Sequence, residues 1–285
     1  MRRTSLLGRV LWALALALVT LFFLFPIVWV LLMAFQTNED ILRIPPSLFF
    51  TPTLANFKAI ISGTLQTNAG TLEIPFMNNL LNSVILSALS VALSLLLGVP
   101  AAYAFARFRF RLGENIAFTL LSFRFAPPLL VLLPLALYFQ DLGLSDSYLG
   151  LIWVYQLICL PLILWIVRGY FEDISPDIEH AYRIDGHSWL RTFLRIAIPL
   201  ARPGIAAAAL LAFIFAWNNF VFALILASAD KQPVTVGALA FVTASGIQYG
   251  QIAASIVLSV LPTLALALYA QRYLVEGLSL GAVKG

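Results

Sequence analysis

Charge is scarce in this chain of 285 residues: only 11% are Asp, Glu, Lys or Arg and 61% are hydrophobic. Soluble domains carry about 25% charged residues, so the composition excludes a soluble globular protein and points to an integral membrane one. Cysteine occurs once, at Cys159 in an apolar run, which excludes a disulfide framework and a cysteine metal site. His180 and His187 have no cysteine, third histidine or well-placed acid to complete a metal set. The Gly-x-x-x-x-Gly-Lys-Ser/Thr phosphate loop is missing, as are His-Glu-x-x-His and Gly-x-Ser-x-Gly. The chain is therefore expected to hydrolyse no ATP, to bind no metal or cofactor of its own, and to be no enzyme. Its net charge of +4 is weak ground for nucleic-acid binding, because basic residues in membrane proteins mostly mark the cytoplasmic side.

What the chain has in abundance is long apolar runs. The spans are expected at about residues 10–35, 79–106, 116–139, 149–167, 204–228 and 252–275. Each reaches the ~20 residues needed to cross a bilayer. The first follows Arg2, Arg3 and Arg9 and is too long for the core of a signal peptide. The third is interrupted by Pro127, Pro128 and Pro134. Residues 36–77 form a polar loop, in which Thr53-Leu-Ala-Asn-Phe-Lys suggests a short surface helix. Arg43, Lys58 and Lys231 lie on the proposed outer segments and Arg124 lies within a span; every other Lys and Arg falls on an inner segment. That asymmetry places both termini and the loop between the fourth and fifth spans in the cytoplasm. No fixed-period repeat is visible, which gives no support to an inverted-repeat carrier.

That loop is the one polar stretch deep in the chain: Ser175-Pro-Asp-Ile-Glu-His-Ala-Tyr-Arg-Ile-Asp-Gly186, running on to Ile196-Ala-Ile-Pro199. Ser175 is placed to cap a helix with Pro176 at its first position, and Asp177 and Glu179 favour the positive end of its dipole. Gly186 supplies a left-handed residue that stops it. Ser188 caps a second helix, which Pro199 and Pro203 are expected to end. Ile178, Ala181 and Tyr182 share one side of the first helix. A helix this short is marginal in water and needs something to dock against.

The stretch resembles the cytoplasmic "EAA" loop of binding-protein-dependent ABC importer permeases: Glu-Ala-Ala, three residues, Gly, nine residues, Ile-x-Leu-Pro. Anchored on Asp185-Gly186, the nine-residue gap reaches Ile196, with Ile198 at the Leu position and Pro199 at the Pro. Ala181 and Tyr182 fill the second and third places; His180 stands first, with Glu179 one residue early. Asn82-Ser83, Ala102-Tyr-Ala-Phe-Ala-Arg107, Phe215-Ala-Trp-Asn-Asn-Phe220 and the tail Val275–Gly285 are similar to patterns of the maltose-type sugar permeases, with Asn219 where that branch often has an acid. The resemblance implies an all-α fold of the MetI-like type with six transmembrane helices in a bacterial inner membrane. It divides the chain into residues 1–76 (first span and outer loop), 77–272 (permease domain, with the coupling loop at 175–204) and 273–285 (cytoplasmic tail). It implies a second six-helix permease, usually a different chain, two ATPase subunits that use ATP and Mg, and an extracytoplasmic binding protein. It assigns Glu179, His180, Ala181, Tyr182, Asp185, Gly186 and Pro199 to coupling with an ATPase subunit.

Within the spans, Arg124 is the one ionisable group well inside, eight residues past the inner end and roughly 12 Å deep at about 1.5 Å per residue. It is read as a lining or gate residue, or as a donor to carbonyls freed by Pro127 and Pro128. Asn218 and Asn219, expected near the middle of the fifth span beside Trp217, suit a polyhydroxylated solute: amides pair with hydroxyls, and an aromatic face packs on a sugar ring. The same groups also serve as glue between helices. Tyr155, Gln156 and Asn82 are further candidates for the pathway. The competing function is a stand-alone carrier or channel for small polar solutes. It would need coupling-ion ligands or a charged ring, and no acidic residue lies in any span.

Overall fold

The structure is a computed structural model that describes residues 6–45, 47, 49–67, 70–108, 111–243 and 246–281. Arg2, Arg3, Arg109 and the last four residues of the tail lie outside the described residues. In chain order come α1 (Leu6–Ala34), α2 (Asn38–Leu42), α3 (Ala55–Ser62), β1 (Thr64–Thr67), β2 (Gly70–Glu73) and α4 (Phe76–Arg107). Next are α5 (Gly113–Ser122), a 3-10 turn (Phe123–Phe125), α6 (Pro128–Asp141), α7 (Tyr148–Asp173), α8 (Pro176–Ile184) and α9 (Trp189–Thr192). A π turn (Phe193–Ala197), α10 (Ile198–Trp217), α11 (Val221–Leu226), α12 (Val234–Gly237), a 3-10 turn (Ala238–Phe241), β3 (Val242–Thr243), β4 (Gly246–Ile247) and α13 (Tyr249–Gly281) complete it.

Five helices are long and apolar enough to cross a membrane, or six if the bent pair Gly113–Phe125 and Pro128–Asp141 forms one span. The apolar runs are thus helices where expected, and α3 is the short helix foreseen after Thr53. Two small antiparallel hairpins, β1–β2 and β3–β4, are the exceptions to an all-helical chain.

Three expectations change. The third span is not one broken rod: its halves meet at 96°. Pro127 and Pro128 make that corner, because a proline bars the residue before it from helical geometry. Pro134 causes no break and stays inside α6. Pro199 and Pro203 do not end the helix after the loop; both lie within α10, and residues 189–217 form one apolar helical run. The π turn accommodates them: the Ile198 amide bonds to the Phe193 carbonyl, five residues back. Such adjustments satisfy the backbone groups that a proline leaves free. Finally, the fifth span breaks at residues 218–220, between α10 and α11.

The chain divides into two compact units, residues 1–77 with 238–260 and residues 78–237 with 261–285. In the first, Asn56 donates to the Ala34 and Gln36 carbonyls at 3.0 and 2.8 Å. Asn38 donates to Gln248 Oε1 at 2.7 Å, tying the chain after α1 to the approach to α13. In the second, α7 packs on α10. Ala201, Ala208 and Ala212 are buried on α10, and small residues of this kind let membrane helices approach closely. Gln156 joins α7 to α4, accepting from Ser94 Oγ at 2.5 Å and donating to the Ser90 carbonyl at 3.2 Å.

Candidate functional site

Two sets of residues in the second unit bear on function. The first is the helix–glycine–helix element of the loop. Ser175 Oγ accepts from the Asp177 amide and Ser188 Oγ from the Arg191 amide, each at 3.3 Å, so both caps form as expected. Gly186 has φ +86°, the left-handed conformation that turns α8 into α9. Nothing lies within 4 Å of where its Cβ would be, so backbone conformation alone calls for glycine there. The Arg183 guanidinium lies over the Trp189 ring at 3.7 Å, and the Tyr182 and His187 rings are 4.1 Å apart, bracing the two short helices against each other.

The faces of α8 differ sharply. Glu179 is its one buried side chain, at 1% exposure. Glu179 Oε2 accepts from Tyr103 Oη at 2.6 Å and Oε1 from Arg107 Nε at 2.8 Å, while Arg107 Nη2 also donates to the Ile174 carbonyl at 2.9 Å. Assigned from the sequence to the ATPase contact, Glu179 instead turns inward to the last turn of α4. Tyr103 and Arg107, spaced to share one helix face, were not singled out. Their spacing was the available signal; a partner more than seventy residues away in the chain was not. His180, Ala181 and Asp185 are exposed, and Ile184 is 86% exposed, with Ile178 and Leu190 also outward. Pro199 sits in the first turn of α10 rather than on this face.

The second set is a cleft of about 300 Å³ in which Arg124, Asn218 and Asn219 meet, walled by Ile158, Phe215 and Val131. Arg124 sits in the 3-10 turn at the 96° corner, so a depth reckoned along a straight helix does not apply to it. Its guanidinium lies 4.1 Å from the Phe215 ring centroid and donates to the Ile158 carbonyl at 3.2 Å. Asn218 caps α10 and donates to the Ile214 carbonyl at 2.8 Å. The Asn219 side-chain oxygen is buried, with no hydrogen-bond partner among the described residues. The two amides thus occupy the break between α10 and α11, not the middle of a helix.

Other candidates lie elsewhere. Trp217 is buried and stacks on Phe213 at 5.6 Å. Tyr155 is buried at 1% exposure. Gln156 is spent on α4, as described above. Asn82 is fully buried: it donates to the Asp230 and Gln232 carbonyls at 2.8 and 3.1 Å and accepts from Tyr148 Oη at 2.6 Å. That makes it a tether for the segment after α11, not a wall of the cleft.

A bundle of apolar helices with a short, capped, charged helix pair set between two of them is the design of a transporter's membrane subunit. The chain belongs to the family described as the binding-protein-dependent transport system inner membrane component, whose model matches residues 94–279. It is a multi-pass membrane protein, an ABC importer permease and not an enzyme. It is similar to a probable ABC transporter permease, y4oR, of Sinorhizobium fredii, 33% identical over 97% of this chain and 96% of the relative. It is 32% identical to the trehalose/maltose transport system permease MalG of Thermococcus litoralis, over 99% of each chain. Among solved structures, a bacterial ABC transporter that imports the acidic polysaccharide alginate has a chain with the same fold. The TM-score is 0.76 at 24% identity, covering 96% of this chain and 99% of that one. Membership implies work in a complex with an ATPase and a binding protein.

Proposed function

We propose that the chain is one membrane half of an importer for a sugar or polyol, driven through residues 175–204. The observation that carries this is the outward face of α8 and α9. Ile178, Ala181, Ile184 and Leu190 are exposed on helices too short to stand alone, braced internally and anchored from behind. Such a face is built to be covered by a protein groove. In this reading the groove belongs to one of two ATPase subunits that bind ATP and Mg. His180, Ala181 and Tyr182 lie at the contact, and Asp185 and Gly186 shape it. A second six-helix permease, most simply a different chain, completes the pathway. The basic residues around the loop put it, and both termini, on the cytoplasmic side.

The sugar class is supported by the trehalose/maltose permease named above and by the chemistry of the cleft. Two amides, a guanidinium and an aromatic ring supply the donors, acceptors and flat face that hydroxylated rings use. Purifying the complex, identifying its subunits and measuring which sugars stimulate its ATPase tests this reading. An isolated chain that takes up solute with no ATPase present would overturn it.

A further inference from the structure

The loop element is gripped by α4 through a single polar joint. Of the nine residues of α8, none buries an apolar side chain; the only buried one is the carboxylate of Glu179. That carboxylate accepts from two residues one turn apart on α4, Tyr103 and Arg107. The guanidinium is itself 7% exposed and makes its salt bridge at 2.8 Å. It reaches further, to the Ile174 carbonyl where α7 ends. One guanidinium thus holds the start of the element and its first helix at once. Its planar fork fixes direction as well as distance, which an apolar contact would not do. An aromatic collar surrounds the joint: the Tyr103 ring lies 5.3 Å from Phe171 and 4.8 Å from Phe193. Phe171 and Phe193 are buried, keeping water from the ion pair.

We propose that Glu179, Arg107 and Tyr103 are positioning residues that make α8 and α4 move as one body, so that a push on the loop element becomes a displacement of α4. This rests on the reading that an ATPase drives residues 175–204. It goes beyond that reading by naming which membrane helix receives the motion and through which atoms. In it the carboxylate of this element acts toward its own membrane helix, while exposed neighbours face the motor. A packed core has discrete arrangements and passes on rigid-body shifts; a flexible tether would absorb them.

The test measures the distance across the joint by pulsed electron spin resonance. Spin labels go on Ile184→Cys and Leu96→Cys, both exposed positions, in the purified complex with Cys159→Ala. It is read without nucleotide and after trapping with ATP and vanadate. The wild-type joint should give one narrow distance, the same in both states. Glu179→Gln should broaden it without nucleotide and shift it on trapping. A wild-type distance that changes on trapping overturns the proposal, as does a Glu179→Gln distance that stays narrow and constant. Should Glu179→Gln not assemble, Tyr103→Phe, which removes one hydroxyl, decides: broadening supports the joint and an unchanged width overturns it. Shielding of a label on Ile184→Cys when the ATPase binds reports the docking separately. The nucleotide-free width therefore judges the joint even if the docking reading fails.

Discussion

Gly204 lies directly under the ring of Tyr170, so closely that a Cβ on the glycine would fall inside that ring. This contact lets α10 approach α7, and ring and helix backbone leave no side chain free to yield. Gly204→Val should force the helices apart at a cost of about 1–3 kcal/mol, the usual range for overpacking. The expected outcome is a lower unfolding temperature of the purified complex, checked by thermal denaturation. Tyr170→Ala in the same chain should restore part of the loss, because it removes the obstruction.

Gly186 makes the opposite case. Space is free around it, so only its left-handed backbone resists a side chain. A β-branched residue there should cost roughly 1–2 kcal/mol and swing α9 out of line with α8. We expect Gly186→Val to keep ATP hydrolysis and lose most transport, and Gly186→Asn, which tolerates that conformation, to keep both. Near-normal uptake by Gly186→Val in proteoliposomes would remove the loop bend from the mechanism.

Asn218→Leu with Asn219→Leu should cut uptake while the complex still assembles, since both amides face the cleft and Asn219 leaves an acceptor unmatched. Trp217→Ala should act differently. Its ring is 4% exposed and packed on Phe213, so truncation should cost about 3–5 kcal/mol of stability. Comparing uptake with yield of folded complex separates the two; unchanged uptake in the double asparagine variant would take those residues out of the pathway.

Asp146 gives a dependence on pH. Its carboxylate accepts from the Ser228 amide at 2.9 Å and from Lys231 Nζ at 3.2 Å. Hydrogen bonding from Ser228 first, and then the Lys231 ammonium, hold its pKa below the usual carboxylate value. A depressed folded pKa means the clamp is fully present above the ordinary carboxylate range and is lost as pH falls through the lowered value. Amide exchange in residues 227–232 should therefore quicken only under acid conditions. Asp146→Asn, which tolerates the φ of +52° at this position, should make it fast and flat with pH.

The spans, the caps at Ser175 and Ser188 and the turn at Gly186 were legible because each depends on residues near in sequence. Apolar run length, a hydroxyl before a helix and a glycine after it carry their own physics. What could not be read was set by distant partners. The inward turn of Glu179 depends on Tyr103 and Arg107, and the role of Asn82 on carbonyls of residues 230 and 232. Prolines misled for another reason. The rule that they end helices assumes that nothing nearby relieves the lost bond, and beside Pro199 a wider turn does. The meeting of Arg124 with Asn218 needed both the corner at Pro127 and the break after Trp217, and neither angle is encoded locally.

The π turn at Phe193–Ala197 has a consequence for phase. One residue more than an α-helical turn rotates everything downstream by about 100°. The azimuth of α10, and so which side its alanines present to α7, is dialled by a single inserted residue, independently of how the preceding helix pair is aimed. Deleting Leu194 would wind the segment into ordinary register and spin that alanine stripe away from its neighbour. The loop and the span are two gears whose meshing is set by one tooth.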